Sequence, residues 1–428
     1  MKGKIRFHSS NEELNKGFAW AKDQALAYSH EGDLVGDWYE AALPGRMSFC
    51  IRDVAHHAVG AEMLGLRRHT KNMLRKFVQN IAASRKYCTF WEIDKDYRPC
   101  PVDYESDEDF WYNLPANFEL LDVCYRMYYM TGDMDYINDE DFVRFYEWTI
   151  GQYAELWDKD KDGLLERKYK NSRLGIPSYC EDNQFENAEA LIDMLAIEIR
   201  GYRSGAAIFQ MRGDLKLMKT CEKRAENLEN MLANDWWDKE TETFFQVKEE
   251  GGTLVHSKEM GHGLSLLYYN IIEDPVRRKG YINLLHEYSM ANRAAVNVES
   301  MSYYPELFFR QKENEKAYYW LQQLIDPDLR RREYPEVSYA VIGAIVCGLA
   351  GICVDAPAKQ VMIEPADIDI YDWFQLENIP VLNGEVDISW KHGRITFTNR
   401  TQTLLCVNGK AVLPEEIAIF EANRRKGL

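Results

Sequence analysis

The sequence predicts a mainly α-helical fold, an (α/α)6 toroid of six helical hairpins followed by a small β-rich module. Three observations predict it. Apolar residues recur with a helical period up to about Ile352 and resolve into twelve segments. Odd-numbered segments carry a charged face, as with Lys71, Arg75 and Lys76 in the third, whereas even-numbered ones are more uniformly apolar, as in VSYAVIGAIVCGLAG. A helix apolar on all sides is buried on all sides, and one-sided helices cover it, so the even helices form an inner ring and the odd ones an outer ring. Beyond Ile352 the pattern changes to period two. An unclosed α-solenoid is the alternative, but no fixed sequence period supports it.

Taken in order, the first helix runs from an N-cap at Ser10 to Ser29. The second opens within PGRMSFCIRDVAHHAVGAEMLGL (44–66), with Arg52 and Asp53 at its mouth and His56 and His57 one turn in. The third spans His69–Ser84, and an irregular stretch from Lys86 to Glu108 contains Trp91. A fourth, capped by Asp107–Asp109 and kinked at Pro115, stops at Thr131-Gly132-Asp133. The fifth covers Asp139–Trp157, and DKDKDGLLE then turns the chain. The sixth begins near Glu181-Asp182-Asn183 and reaches Met211; the seventh is the charged stretch LKLMKTCEKRAENLENMLANDWW. A hairpin (Phe244–Val247 and Leu254–His256) leads into the eighth helix at Glu259–Ile271. The ninth covers Pro275–Tyr288, the tenth starts around Ser302–Glu306, the eleventh covers Asn314–Ile325 and the twelfth Glu336–Leu349. Short strands follow, separated by Asn-Gly, His-Gly and Asn-Gly turns. The expected division is a barrel at 1–352 and a β module with its tail at 353–428.

Composition narrows the function. With 46% hydrophobic and 13% aromatic residues in 428, the chain has ample material for a large core. A net charge of −17 with no Lys/Arg-rich block disfavours nucleic acid and anionic membrane as partners. The 11 Trp and 26 Tyr suit sugar stacking as well as a large helical core. Nine scattered cysteines without a CxxC pair point to reduced, mostly buried thiols. No apolar leader or run of about 18 apolar residues is present, so the expected setting is cytoplasmic.

In such a toroid the inner helices all point one way, and their N-terminal ends gather on one face. The residues there are Arg52, Asp53 and His56; Asp109 and Trp111; Tyr179, Glu181 and Asp182; Glu259 and His262; Glu299, Tyr303, Tyr304 and Glu306; and Glu333 and Glu336. One acid at a helix start is ordinarily a cap. Six mouths carrying carboxyl groups, several beside aromatics, exceed what capping needs. Paired carboxyls beside aromatic walls are what glycosidic cleavage requires, one protonated as general acid and the other ionised as base or nucleophile. Asp158, Asp160, Asp162 and Gly163 have the spacing of half an EF-hand loop, but Tyr169 stands where the bidentate Glu belongs, so a solvated Asp-Gly turn is expected. The pair His56-His57 lacks partners at zinc spacing, and no metal is expected.

The stretch GRMSFCIRDVAH, the twelve-helix order and PEVSYAVIGAIVCGLAGI before the β module resemble the six-hairpin glycosidase superfamily, which includes glucoamylases, trehalases and α-L-rhamnosidases. The β tail FQLENIPVLNGEVDISWKHGRITFTN is most similar to that of the rhamnosidase-like members. The resemblance implies that Arg52 and Asp53 bind sugar hydroxyls next to the cleaved bond. It implies a general acid between helices five and six, Glu181 with Asp182 as rival. It puts the base before helix twelve, at Glu333 or Glu336, with Glu336 favoured and Glu299 and Glu306 next. His56, Trp91, Trp111, Tyr179, His262, Glu299 and Tyr303 would complete the sugar site. The expectation is a cofactor-free, inverting, exo-acting glycoside hydrolase for an oligosaccharide or glycoside. A sugar epimerase, a polysaccharide lyase and a non-catalytic carbohydrate-binding toroid are the alternatives.

Overall fold

The computed structural model describes residues 2–169, 173–179, 187–257, 261–293 and 295–421. Its main helices are α1 (Glu12–Ala27), α2 (Ile51–Met63), α3 (Arg67–Gln79) and α4 (Pro115–Thr131). Next come α5 (Glu140–Trp148, continued through a π-helical stretch to Trp157), α6 (Ile192–Arg212), α7 (Leu215–Asn234) and α8 (Leu264–Tyr268). The last four are α9 (Pro275–Ala291), α10 (Val298–Arg310), α11 (Asn314–Ile325) and α12 (Pro335–Gly343, continued as a π-helical stretch to Leu349). The chain is mainly helical with a β-rich C-terminal region.

Burial follows the alternation of charge. On α2 every residue from Val54 to Met63 is buried. On α7 only Cys221, Ala225, Leu228 and Leu232 are buried, a single stripe at helical spacing. Each even-numbered helix packs on the next: α2 on α4, α4 on α6, α6 on α8, α8 on α10, α10 on α12, and α12 back on α2. The odd helices α3, α7, α9 and α11 each pack on the even helix before them, and α1 packs on α12.

Several boundaries differ from the sequence reading. Pro115 starts α4 instead of kinking it, because the first helical position needs no N–H and suits the fixed φ of proline. Asp107 does not cap α4, whose N-cap is Leu114, and instead accepts from Arg85 at 2.7 Å. Helix α6 starts at Ile192, after a strand Ala188–Leu191 that pairs with Val247–Glu249. Helix α8 shrinks to five residues after a 3-10 turn at Gly261–Gly263. Helix α10 begins at Val298, where the Asn297 side chain accepts from the Ser300 N–H at 2.8 Å.

The C-terminal strands form two sheets. One has the order Arg6–Ser9, Trp373–Val381, Gly384–Lys391, Arg394–Asn399, Ile417–Glu421, all antiparallel. Its first strand comes from the N-terminus, with Phe7 opposite Leu376, so the two ends of the chain share one sheet. The second sheet joins Ile352–Asp355, Gln360–Ile363, Leu405–Val407 and Lys410–Val412. The His392-Gly393 and Asn408-Gly409 turns have both residues at positive φ, the geometry of tight hairpins.

A glycine lets one helix approach the backbone of another where α2 crosses α12. A Cβ on Gly60 of α2 would lie 2.1 Å from the carbonyl oxygen of Tyr339 on α12. Gly60→Ala is expected to cost on the order of 1–3 kcal/mol through overpacking, read as a lower midpoint in urea unfolding. An unchanged midpoint would mean that these two helices do not cross so closely.

Candidate active site

The first turns of α2, α10 and α12, with segments leading into the even helices, place several polar residues in one cluster. Strand Ser48–Cys50 pairs with Glu92–Asp94, and the Ile51 N–H donates to the Trp91 carbonyl at 3.1 Å. This sets α2 beside Trp91. Arg52, at the start of α2, is half-buried; its Nη1 donates to the Tyr179 carbonyl and its Nε to Asp53, each at 3.4 Å. The guanidinium carbon lies 5.8 Å from the ring centres of both Trp91 and Tyr179. Trp111 meets Trp91 edge-on at 4.7 Å. A cation is thus held beside two aromatic rings, with a third against the first.

Asp53 and Glu336 are the electrostatic centre. Glu336, in the first turn of α12, is only 5% exposed. Burial pushes its carboxyl well above the usual range, and the charges of Asp53 and Glu299 push the same way. Asp53 is raised too, by burial first, while Arg52 and the Cys50 thiol pull it back. Asp53 thus opposes the ionisation of Glu336, and the two titrate as a pair. Glu299, in the first turn of α10, has Arg331 at 3.7 Å from one oxygen, while its buried Oε2 has no hydrogen-bond partner among the described residues.

The aromatic and histidine side chains complete the cluster. Tyr303 stacks on His56 with centroids 3.7 Å apart. The Ser302 hydroxyl donates to the Glu299 carbonyl at 2.6 Å and lies 2.9 Å from His56 Nε2, so the imidazole donates to it. Burial lowers the His56 pKa to about 4, which keeps the ring neutral. Asp193 of α6 accepts from the Ser178 hydroxyl at 2.7 Å and from the Tyr179 N–H at 2.8 Å. His262 is close enough to lower the Asp193 carboxyl, against the larger effect of burial.

The structure therefore brings together Arg52, Asp53, Trp91, Trp111, Tyr179, Glu299, Tyr303 and Glu336, with His56 behind Tyr303 and His262 beside Asp193. It does not bring Glu333 to them: that residue is exposed, and its carbonyl accepts from Gln24 at 2.9 Å. Glu306 lies deeper, bonded by Arg310 and by Tyr268 at 3.2 Å, and Tyr304 turns to Ser289 at 2.9 Å. Glu181, Asp182 and Glu259 lie outside the described residues.

Sequence reading missed Glu119 and Asp193. Glu119, on α4, is 2% exposed and accepts hydroxyls from Tyr179 and, at 2.8 Å, from Tyr269. Burial raises its pKa to about 7, against the two hydroxyl donors. The available signal was an acid inside a helix apolar on almost every side, which has to find polar partners. The Asp158–Gly163 turn is also more than solvated. Lys248 donates to Asp160 at 3.1 Å, to Asp162 at 2.8 Å and to Glu166, so an ammonium sits among the acids of the half-EF-hand.

No family model and no curated protein sequence matches the chain. Solved structures do. A GH78 family rhamnosidase of Bacillus sp. GL1 is similar over 92% of this chain and 40% of its own, at 14% identity and a TM-score of 0.65. An α-L-rhamnosidase from Aspergillus terreus matches 99% of this chain and 50% of its own, at 10% identity and 0.67. A putative kojibiose phosphorylase from the human microbiome matches 98% and 60%, at 11% identity and 0.63. The chain spans two-fifths to three-fifths of the length of these three proteins. At the level of fold, the resemblance read from the sequence holds: the chain is similar to the six-hairpin glycosidases.

Proposed function

We propose that the chain is a glycoside hydrolase of the (α/α)6 six-hairpin type, inverting and exo-acting on an oligosaccharide or glycoside. The observation that carries this reading is the raised Asp53–Glu336 pair set beside Arg52 and the aromatic rings at the starts of the even helices. The cyclic packing order of those helices supports closure into a toroid borne by residues 1–352, with 353–428 as the β module that the N-terminal strand joins.

In this mechanism Arg52 and Asp53 grip the sugar hydroxyls, and Trp91, Trp111, Tyr179 and Tyr303 offer ring faces and edges to the sugar's C–H surface. Glu336, ionised, draws a proton from water as it attacks the anomeric carbon. Glu181 gives its proton to the departing glycosidic oxygen. Inversion requires a gap of about 6.5–9.5 Å between acid and base to admit that water. No cofactor is needed. An epimerase would use imidazoles as proton carriers, and the buried His56, bonded to Ser302 and stacked under Tyr303, is poorly placed for that. Phosphorolysis is the second reading, favoured by the likeness to the kojibiose phosphorylase.

A panel of nitrophenyl glycosides, including rhamnoside and glucuronide and run with and without phosphate, tests the function. Release of a reducing sugar without phosphate is expected. A sugar phosphate would favour the second reading, an unsaturated product would indicate a lyase, and a product of unchanged mass an epimerase. Following the first-formed anomer by proton NMR checks inversion.

Glu336→Gln and Glu181→Gln should each lower kcat by on the order of 10²–10⁴-fold with the fold unchanged by circular dichroism. Near-wild-type turnover in either variant removes that residue from its role. The pH dependence follows from the pair. Because Asp53 and burial hold the Glu336 proton on, activity should fall as pH drops through a value above the ordinary carboxylate range. Asp53→Asn removes the like charge, so the acidic limb of kcat/KM should move down by about 1 pH unit, while KM rises. A limb that stays put would show that Asp53 does not act on the base.

A further inference from the structure

Among the described residues, Glu119 is the one carboxyl of the cluster whose two oxygens both receive tyrosine hydroxyls, Oε2 from Tyr179 and Oε1 from Tyr269 at 2.8 Å. Tyr179 is otherwise held by Asp193 of α6, through its N–H at 2.8 Å, and by Arg52 of α2, through its carbonyl at 3.4 Å. Its ring lies 6.4 Å from that of Trp91. The groups facing Glu119 are Arg52 from α2, Arg126 from α4 itself, Tyr268 from α8 with Tyr269 just after it, Tyr303 from α10, and Tyr179. Among the described residues neither arginine pairs with it at ion-pair distance.

We infer that Glu119 is a positioning residue that holds Tyr179 in the wall of the site through a hydrogen-bond pattern that reverses when the carboxyl takes up a proton. The inference rests on reading that cluster as a sugar site. An ionised carboxylate only accepts, and it matches two tyrosine donors. Once protonated, one oxygen becomes a donor, so one of the two hydroxyls must turn and accept. Burial opposes ionisation and the two hydroxyls favour it, and the balance falls near neutrality. Since Arg52 leans on Tyr179, the pattern chosen at Glu119 also sets the guanidinium that grips the sugar.

Glu119→Gln tests this, because glutamine keeps the shape but always presents one donor and one acceptor. With tyrosine labelled by carbon-13 at the hydroxyl-bearing carbon, the wild type should show two resonances titrating together around neutrality, and both should stop titrating in the variant. Stability gives a second readout. The Glu119 pKa is raised from 4.5 to about 7 on folding, so its contribution to stability is complete below about 4.5 and is lost as pH rises through about 7. The Tm difference, wild type minus Glu119→Gln, should fall over that window and level off above it. On a glycoside that is turned over, the variant should raise KM about tenfold above neutrality while kcat changes less than about threefold. Resonances that do not titrate, or a loss confined to kcat, would overturn the positioning role. If the NMR and stability results hold but no glycoside is cleaved, the hydrolase reading fails and the proton-dependent hold on Tyr179 stands.

Discussion

Asp53 raises the affinity of the buried Glu336 for a proton, and the placing of this pair organises what surrounds it. The two are neighbours because α2 packs directly on α12, with Gly60 admitting the Tyr339 carbonyl. Each sits in the first turn of its helix, where unpaired N–H groups and the positive end of the dipole favour negative charge. Arg52 supplies a whole charge for the same purpose and lowers both carboxyls. Burial works against all three. The result is a buried pair whose carboxyls both stay above their ordinary range, which a solvated pair of acids or a fully neutralised ion pair would not.

The opposite end of α8 shows the complementary pattern. Arg310 of α10 donates to its last carbonyl, Tyr268, at 2.7 Å. Gln311 reaches the neighbouring Leu267 carbonyl at 2.8 Å. Donors thus meet carbonyls at the negative end of α8, while Asp53, Glu299 and Glu336 lie in the first turns of α2, α10 and α12.

What was legible in the sequence was whatever depended on period and composition. The alternation of one-sided and all-apolar helices identified which would cover and which would be covered, and the Asn-Gly and His-Gly pairs located most of the hairpins of the β region. Positions decided by tertiary contact were not legible. The strand Arg6–Ser9 is four residues of weak alternation, and only its long-range partner Trp373–Val381 makes it a strand. Glu333 and Glu336 read alike as acids flanking a proline, yet helix entry turns the first to solvent and buries the second. Lys248 gave no local sign that it would enter the acidic loop 86 residues before it.

Glu119 and Asp122, three residues apart on α4 and both buried, show how neighbours decide what a carboxyl can do. Asp122 accepts from Arg200 at 2.7 Å, Arg126 at 2.9 Å and the Ser204 hydroxyl at 2.6 Å. Burial would raise it, but the two guanidiniums win and hold it below its ordinary value. It is locked as an anion and serves as a tie between α4 and α6. Among the described residues Glu119 receives hydrogen bonds only from hydroxyls, with Arg126 and Arg52 acting from a distance, and burial wins instead. An acid tied to cations contributes rigidity and no proton; one held by tyrosines keeps its proton exchangeable. The same helix therefore supplies a structural anion near its middle and a titrating group toward its start, and only the second adjoins Tyr179 and Arg52. That difference arises from which donors the neighbouring helices present, and it confines proton exchange on α4 to the end where the other carboxyls gather.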